Sequence, residues 1–103
     1  MYEKNGDAFK ATVEGNLLYM IQGCGKYEVL ISIKISEVPD LIKSLKEVTC
    51  CTFGVNMGLQ VLTNPMRTNP YLKLHDGRCA DFVWFSSENL ETFINYLENK
   101  ISE

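Results

Sequence analysis

No apolar run in this 103-residue chain approaches the roughly 18–20 residues that a membrane span requires. The N-terminal "MYEKNGD" is polar and acidic, not basic and then apolar, so no secretory leader is expected and the cytoplasm is the default compartment. Proline and glycine are not enriched, at 3 and 7 residues, and no stretch is of low complexity. This argues against disorder beyond the first few residues. The four cysteines, at 24, 50, 51 and 79, include no C-x-x-C pair. Without a leader they are expected to be reduced thiols. There is one histidine, His75, and one tryptophan, Trp84. No phosphate-cradle motif of the Walker or G-x-G-x-x-G kind occurs, since "GCGK" and "NMG" match neither.

Charge of one sign is also weak. Ten Lys and Arg against thirteen Asp and Glu leave a net charge of −3, with the signs interspersed. A pI near 5.1 disfavours nucleic acid as a partner, because counterion release from bound cations supplies most of that affinity. What the chain does have is 46% hydrophobic residues and 22% charged ones, enough for the core of one soluble domain spanning residues 1–103.

The apolar residues are patterned. In "SEVPDLIKSLKEV", Val38, Leu41, Ile42, Leu45 and Val48 make one helical face, with Ser36 as a possible cap and Pro39 in the first turn. In "SSENLETFINYLENKI", Leu90, Phe93, Ile94, Leu97 and Ile101 make another, capped by Ser86 or Ser87. "EVLISIKIS" alternates as a half-buried strand does, with Ile31, Ile33 and Ile35 on one face. "EGN" separates "AFKATV" from "LLYMIQ", and "HDGR" places an Asp-Gly pair between "YLKL" and "CADFVWF", which reads as a two-residue hairpin loop. The order is β-β-β-α twice, in halves of about 7–49 and 52–101, with the helix stripes displaced by 52 residues. The expected fold is α+β: a mostly antiparallel sheet of about five or six strands with two helices on one face, and a possible tandem pseudo-repeat.

Few of the chemical constellations converge. Zinc wants four ligands from close pairs. Cys50 and Cys51 are adjacent, so their side chains diverge, and His75 and Cys79 straddle a turn. No metal or cofactor is expected, and the two vicinal cysteines read as small apolar residues at a junction between the halves. Asp76 beside His75 is explained by the turn, not by a catalytic triad, so the chain is not expected to be an enzyme.

One feature points to binding. "CADFVWF" is apolar on both faces, with Phe82 and Trp84 on one and Val83 and Phe85 on the other. If one face meets the core, the other leaves an aromatic pair for a partner, a homodimer or the loop 64–70 to cover. Arg67, Tyr71, Phe82 and Trp84 are the expected contact residues. The preferred expectation is therefore a non-catalytic binding protein that engages another macromolecule, with a protein as the expected partner and a homodimer as the expected state. The size and the lack of motifs suit a bacterial or phage accessory protein, such as an inhibitor of a host enzyme or defence complex, acting in the host cytoplasm.

Two alternatives remain. Phe9, Lys10, Tyr19, Lys26, Tyr27, Lys34, Arg67, Tyr71, Lys73 and Trp84 interleave aromatic and basic residues on expected strands and their loops. Strands followed by one helix, twice, resemble the topology of the PC4, Whirly and Pur group of single-strand nucleic-acid binders. That resemblance implies a sheet that stacks bases and holds phosphates. The chain departs from it in showing three strands per half where those families have four. The other alternative is a small-nucleotide binder, with Lys26 or Arg78 as the anion contact.

Overall fold

The computed structural model describes residues 1–3, 9–23, 28–54 and 58–102. Four antiparallel strands come first: β1 Tyr2–Glu3, β2 Lys10–Glu14, β3 Leu17–Gln22 and β4 Val29–Lys34. A 3-10 turn, Ile35–Glu37, leads into helix α1, Val38–Glu47. The second half repeats the order with β5 Cys51–Phe53, β6 Gly58–Leu62, β7 Tyr71–His75, β8 Ala80–Val83 and helix α2 Ser87–Ile101. Within each half the strands pair in sequence order, β1-β2-β3-β4 and β5-β6-β7-β8. The fold is α+β with two four-stranded antiparallel sheets, and tandem β4-α units describe it. No helix of the described residues is long and apolar enough to cross a membrane.

Each half thus carries one strand more than the alternation in the sequence predicts. The extra strands, β1 and β5, have two and three residues. That is too short for a period of two to register. Their pairings reveal them: Tyr2 opposite Ala11, and Cys51 opposite Val61. The strands also form two sheets where the sequence suggested one.

The expected alternation holds in β4, where Val29, Ile31 and Ile33 are buried and Leu30, Ser32 and Lys34 are exposed. β2 and β3 join through the two-residue loop Gly15-Asn16, where Gly15 takes φ 60. That left-handed backbone is what a tight hairpin demands at its first loop position. In α1 the buried stripe is Val38, Leu41, Ile42 and Leu45. Val48 does not complete it. It ends the helix as a left-handed cap with φ 55 and is 41% exposed. Ser36 lies in the 3-10 turn and does not cap α1, whose N-cap is Glu37. In α2 the Ser86 side chain accepts a hydrogen bond from the Asn89 N–H, as expected of a capping serine.

The inward residues of both sheets and both helices form one core cluster. Each half is tied to the other through it. β4 lies against β6 and β7, β3 touches β8, and α1 packs on α2. An aromatic cluster reaches from the first strands to the second helix: Phe9 meets Phe93 edge-on at 5.5 Å, and Tyr2 lies 5.1 Å from Phe93. Phe85 stacks on Phe93 at 5.4 Å. Such ring pairs add about 0.5–1.5 kcal/mol each beyond the area they bury. The Tyr2 hydroxyl donates to the Asn89 carbonyl of α2 at 3.0 Å, which anchors the short β1.

Candidate binding face of the second sheet

The outer face of the second sheet is set by register. Leu72 and Val83 are a cross-strand pair and both are fully buried, as is Leu74. The alternate positions on β7 and β8 therefore point outward: Tyr71, Lys73 and His75 on one strand, Phe82 and then Trp84 on the other. Lys73 lies directly opposite Phe82, and His75 opposite Ala80. Phe82 and Trp84 are 40% and 39% exposed, while Val83 and Phe85 are buried. The two-faced reading of "CADFVWF" holds in the structure.

The four expected contact residues come together. Tyr71 and Trp84 stack across the strands with centroids 4.2 Å apart and planes 25° from parallel. Phe82 lies 6.0 Å from Trp84 and 6.1 Å from Tyr71. The Arg67 guanidinium sits 4.3 Å from the centre of the Trp84 ring, a cation–π distance. The loop that carries Arg67 is held in place. The Asn64 side chain accepts from the Met66 N–H, and the Asn64 carbonyl accepts from the Arg67 N–H. Asn69 donates to the Phe85 carbonyl and to Ser87 Oγ. The loop 64–70 thus flanks the aromatic cluster and places a cation on it, without closing it off from solvent.

Beside the aromatics lies an open hollow of about 280 Å³, lined by Lys73, His75, Gly77, Arg78, Cys79 and Ala80. The turn that shapes it corrects the expected hairpin. The loop runs over four residues, Asp76 to Cys79, so His75 faces Ala80 and not Arg78, and Cys79 lies in the loop. The Asp76 side chain causes the longer loop. Its Oδ1 accepts from the Arg78 and Cys79 N–H groups at 2.9 and 2.8 Å, and the Asp76 N–H donates to the Cys79 carbonyl. These N–H bonds from Cys79 and Arg78, with the nearby Arg78 charge, hold the Asp76 carboxyl below its usual range. Among the described residues, Lys73, His75 and Arg78 make no ion pair; the Lys46–Glu98 bridge joins the two helices elsewhere.

The outer edge of β8 is blunted at Phe82. Its N–H donates to the Asp81 side chain at 2.8 Å, and its carbonyl accepts from Gln22 Nε2 at 3.4 Å. An incoming strand finds that position already bonded. Asp76 and Asp81 each turn a carboxylate oxygen to backbone N–H groups, and neither makes an ion pair with Lys73 or Arg78 among the described residues.

Charge is segregated in the fold. The two helices and the 3-10 turn carry Glu37, Asp40, Glu47, Glu88, Glu91 and Glu98 against Lys43, Lys46 and Lys100. The acidic balance resides there, while the outer face of the second sheet presents Arg67, Lys73 and Arg78.

The remaining site expectations fare differently. Lys26 and Cys24 lie outside the described residues. Cys50 is exposed, with its Sγ 3.5 Å from Thr63 Oγ1, and Cys51 is half-buried on β5 and packed on the core. The junction role therefore fits Cys51 and not Cys50. Among the described residues no three His, Cys, Asp or Glu side chains gather as a metal set would. A groove of about 450 Å³ between α1 and α2 is lined by Leu45, Val48, Leu90 and Ile94 together with Lys46 and Glu98. Lys73 was named only in the interleaved aromatic and basic set of the nucleic-acid alternative, and His75 was not among the expected site residues. The period-two spacing from Tyr71 carried the signal, and it needed the β7–β8 register to be read. In comparisons with known proteins no family model matches, and no curated protein and no solved structure matches either.

Proposed function

We propose that this protein binds single-stranded nucleic acid on the outer face of its second sheet, without catalysing a reaction. Tyr71, Phe82 and Trp84 offer apolar ring surface to bases, and Arg67, Lys73 and Arg78 offer charge to phosphates. The observation that carries the reading is the Tyr71–Trp84–Phe82 cluster flanked on one face by Arg67 and Lys73, with Arg78 at the turn beyond. Aromatic stacking beside a cationic track is how sequence-tolerant single-strand binding works. Two objections drawn from the sequence lose weight. The acidic balance belongs to the helices, and each half has four strands before its helix. No solved structure matches, so the proposal rests on the face and not on fold likeness.

The test is fluorescence anisotropy with short labelled single strands and the matching duplex at low salt. Micromolar binding with a preference for the single strand supports the proposal, and no anisotropy change at low salt overturns it. A second reading keeps the same face for a protein partner, including a second copy or a host enzyme occluded by a phage-encoded inhibitor. Its support is the Trp, Tyr and Arg composition of the cluster, which matches that of interface hot spots. A dimer mass in light scattering, abolished by Trp84→Ala, together with no oligonucleotide binding, selects it.

A further inference from the structure

We infer that the hollow at the β7–β8 turn is a subsite for a terminal phosphate, the dianionic monoester at the end of a strand lying on the aromatic face. The path of the strand rests on the function proposed above; the anion chemistry of the hollow does not. Lys73, His75 and Arg78 line the hollow, and among the described residues no carboxylate lines it. The three side chains come from β7 and from the turn itself, so they approach one space from two directions.

The turn is built to hold that arrangement. Asp76 spends its carboxylate oxygen on the Arg78 and Cys79 N–H groups, which fixes the backbone beneath the Arg78 side chain. Asp76 stays ionised beside Arg78, but its side chain does not line the hollow. Asp81 is likewise bonded to the Phe82 N–H.

Position and valence then choose the ligand. Lys73 is the cross-strand partner of Phe82, so the hollow adjoins the aromatic cluster along the sheet. β7 ends at His75 and β8 begins at Ala80, so among the described residues the hollow lies at the end of these two strands. A phosphate monoester carries about −1.5 to −2 charge at pH 7 and three acceptor oxygens. A backbone diester carries a single charge. Three clustered donors, one of them an arginine able to form two parallel bonds, match the monoester better.

The experiment compares one labelled oligonucleotide in three forms: 5′-phosphorylated, 3′-phosphorylated, and hydroxyl at both ends. One phosphorylated form should bind at least about tenfold tighter than the hydroxyl form, a gain of roughly 1.4 kcal/mol. Arg78→Gln, on the exposed turn, should weaken binding of every form and erase the difference between the phosphorylated and hydroxyl ones. Lys73→Gln serves as the second variant, since its neighbours are strand residues. Equal affinity for all three forms overturns the assignment. A parallel arm follows backbone amide shifts of residues 73–80 with inorganic phosphate against chloride at equal ionic strength. If no oligonucleotide binds but phosphate saturates these shifts, the hollow stands as an anion site and the strand proposal fails. If neither binds, both fail.

Discussion

Replacing Trp84 by alanine separates its part in the fold from its part in binding. Trp84 is 39% exposed, so the substitution opens surface and no sealed cavity. It deletes the 4.2 Å stack with Tyr71, worth about 0.5–1.5 kcal/mol. It also deletes the Arg67 contact, worth about 0.5–1 kcal/mol at an exposed site. The fold should therefore lose on the order of 1–3 kcal/mol, well below the loss of a fully buried aromatic, which reaches about 3–5 kcal/mol. Denaturant unfolding reads this as a lower midpoint with an unchanged slope. Binding should suffer more, since each stacked base contributes about 1–3 kcal/mol and removal of the central ring also releases Tyr71 and Arg67 from their places. A tenfold or greater loss of affinity for a single strand is expected from a protein that remains folded. Arg67→Ala in the same background should add less than it does alone, because the two side chains act through one contact. Unchanged affinity in folded Trp84→Ala, or a stability loss above about 4 kcal/mol, refutes the reasoning.

Other outcomes follow from the same geometry. Gly58 is buried at φ 154, and a Cβ there would collide with the Phe53 carbonyl oxygen. Gly58→Ala should thus cost more than about 3 kcal/mol, as core disruptions do, whereas Gly15→Ala, at φ 60 in open space, should cost only about 1–2 kcal/mol in denaturant titrations. Ser86→Ala removes the bond to the Asn89 N–H and should lower the thermal midpoint by about 4–8 °C, for a loss of about 1 kcal/mol. Asp76 should titrate by carbon-detected NMR below the ordinary aspartate value of about 3.9. Because its folded value is depressed, its contribution to stability is present above the unfolded value and fades as pH falls through the folded one; a normal titration contradicts the turn geometry. Alkylation of the folded protein followed by mass mapping should modify Cys50 and Cys79 before Cys51, and equal rates at all three would contradict the packing of β5 on the core.

How much was legible in the chain depended on element length. β4 and α2 could be read because six and fifteen residues span several periods of their patterns. β1 and β5 could not, since two or three residues carry no period, and only pairing with β2 and β6 defines them. Val48 fits the helical stripe by spacing, yet the chain leaves the helix there in a left-handed cap, a decision made by backbone and not by hydropathy. The Asp-Gly signal located the β7–β8 turn but misjudged its length, because the Asp76 side chain takes over two N–H groups that a two-residue loop would leave differently paired. The aromatic face was legible through Phe82 and Trp84, since a strand apolar on both faces must present one of them outward. Lys73 was legible only as one of many basic residues on expected strands, and His75 not at all, because their place beside that face depends on which residue of β7 meets which residue of β8. That the acidic excess falls on the helices is likewise a property of the fold; a net charge cannot express it.

The salt dependence of single-strand affinity bears most directly on the central claim. Each phosphate neutralised on a single strand contributes about −0.7 to the slope of log K against log salt. With Arg67, Lys73 and Arg78 each holding one phosphate, the slope should lie near about −2, and near about −1.4 in Arg78→Gln. Anisotropy titrations across a range of potassium chloride give it directly. A slope near −2 that falls on removing Arg78 is the predicted result; a flat dependence, or no binding at the lowest salt, contradicts the account.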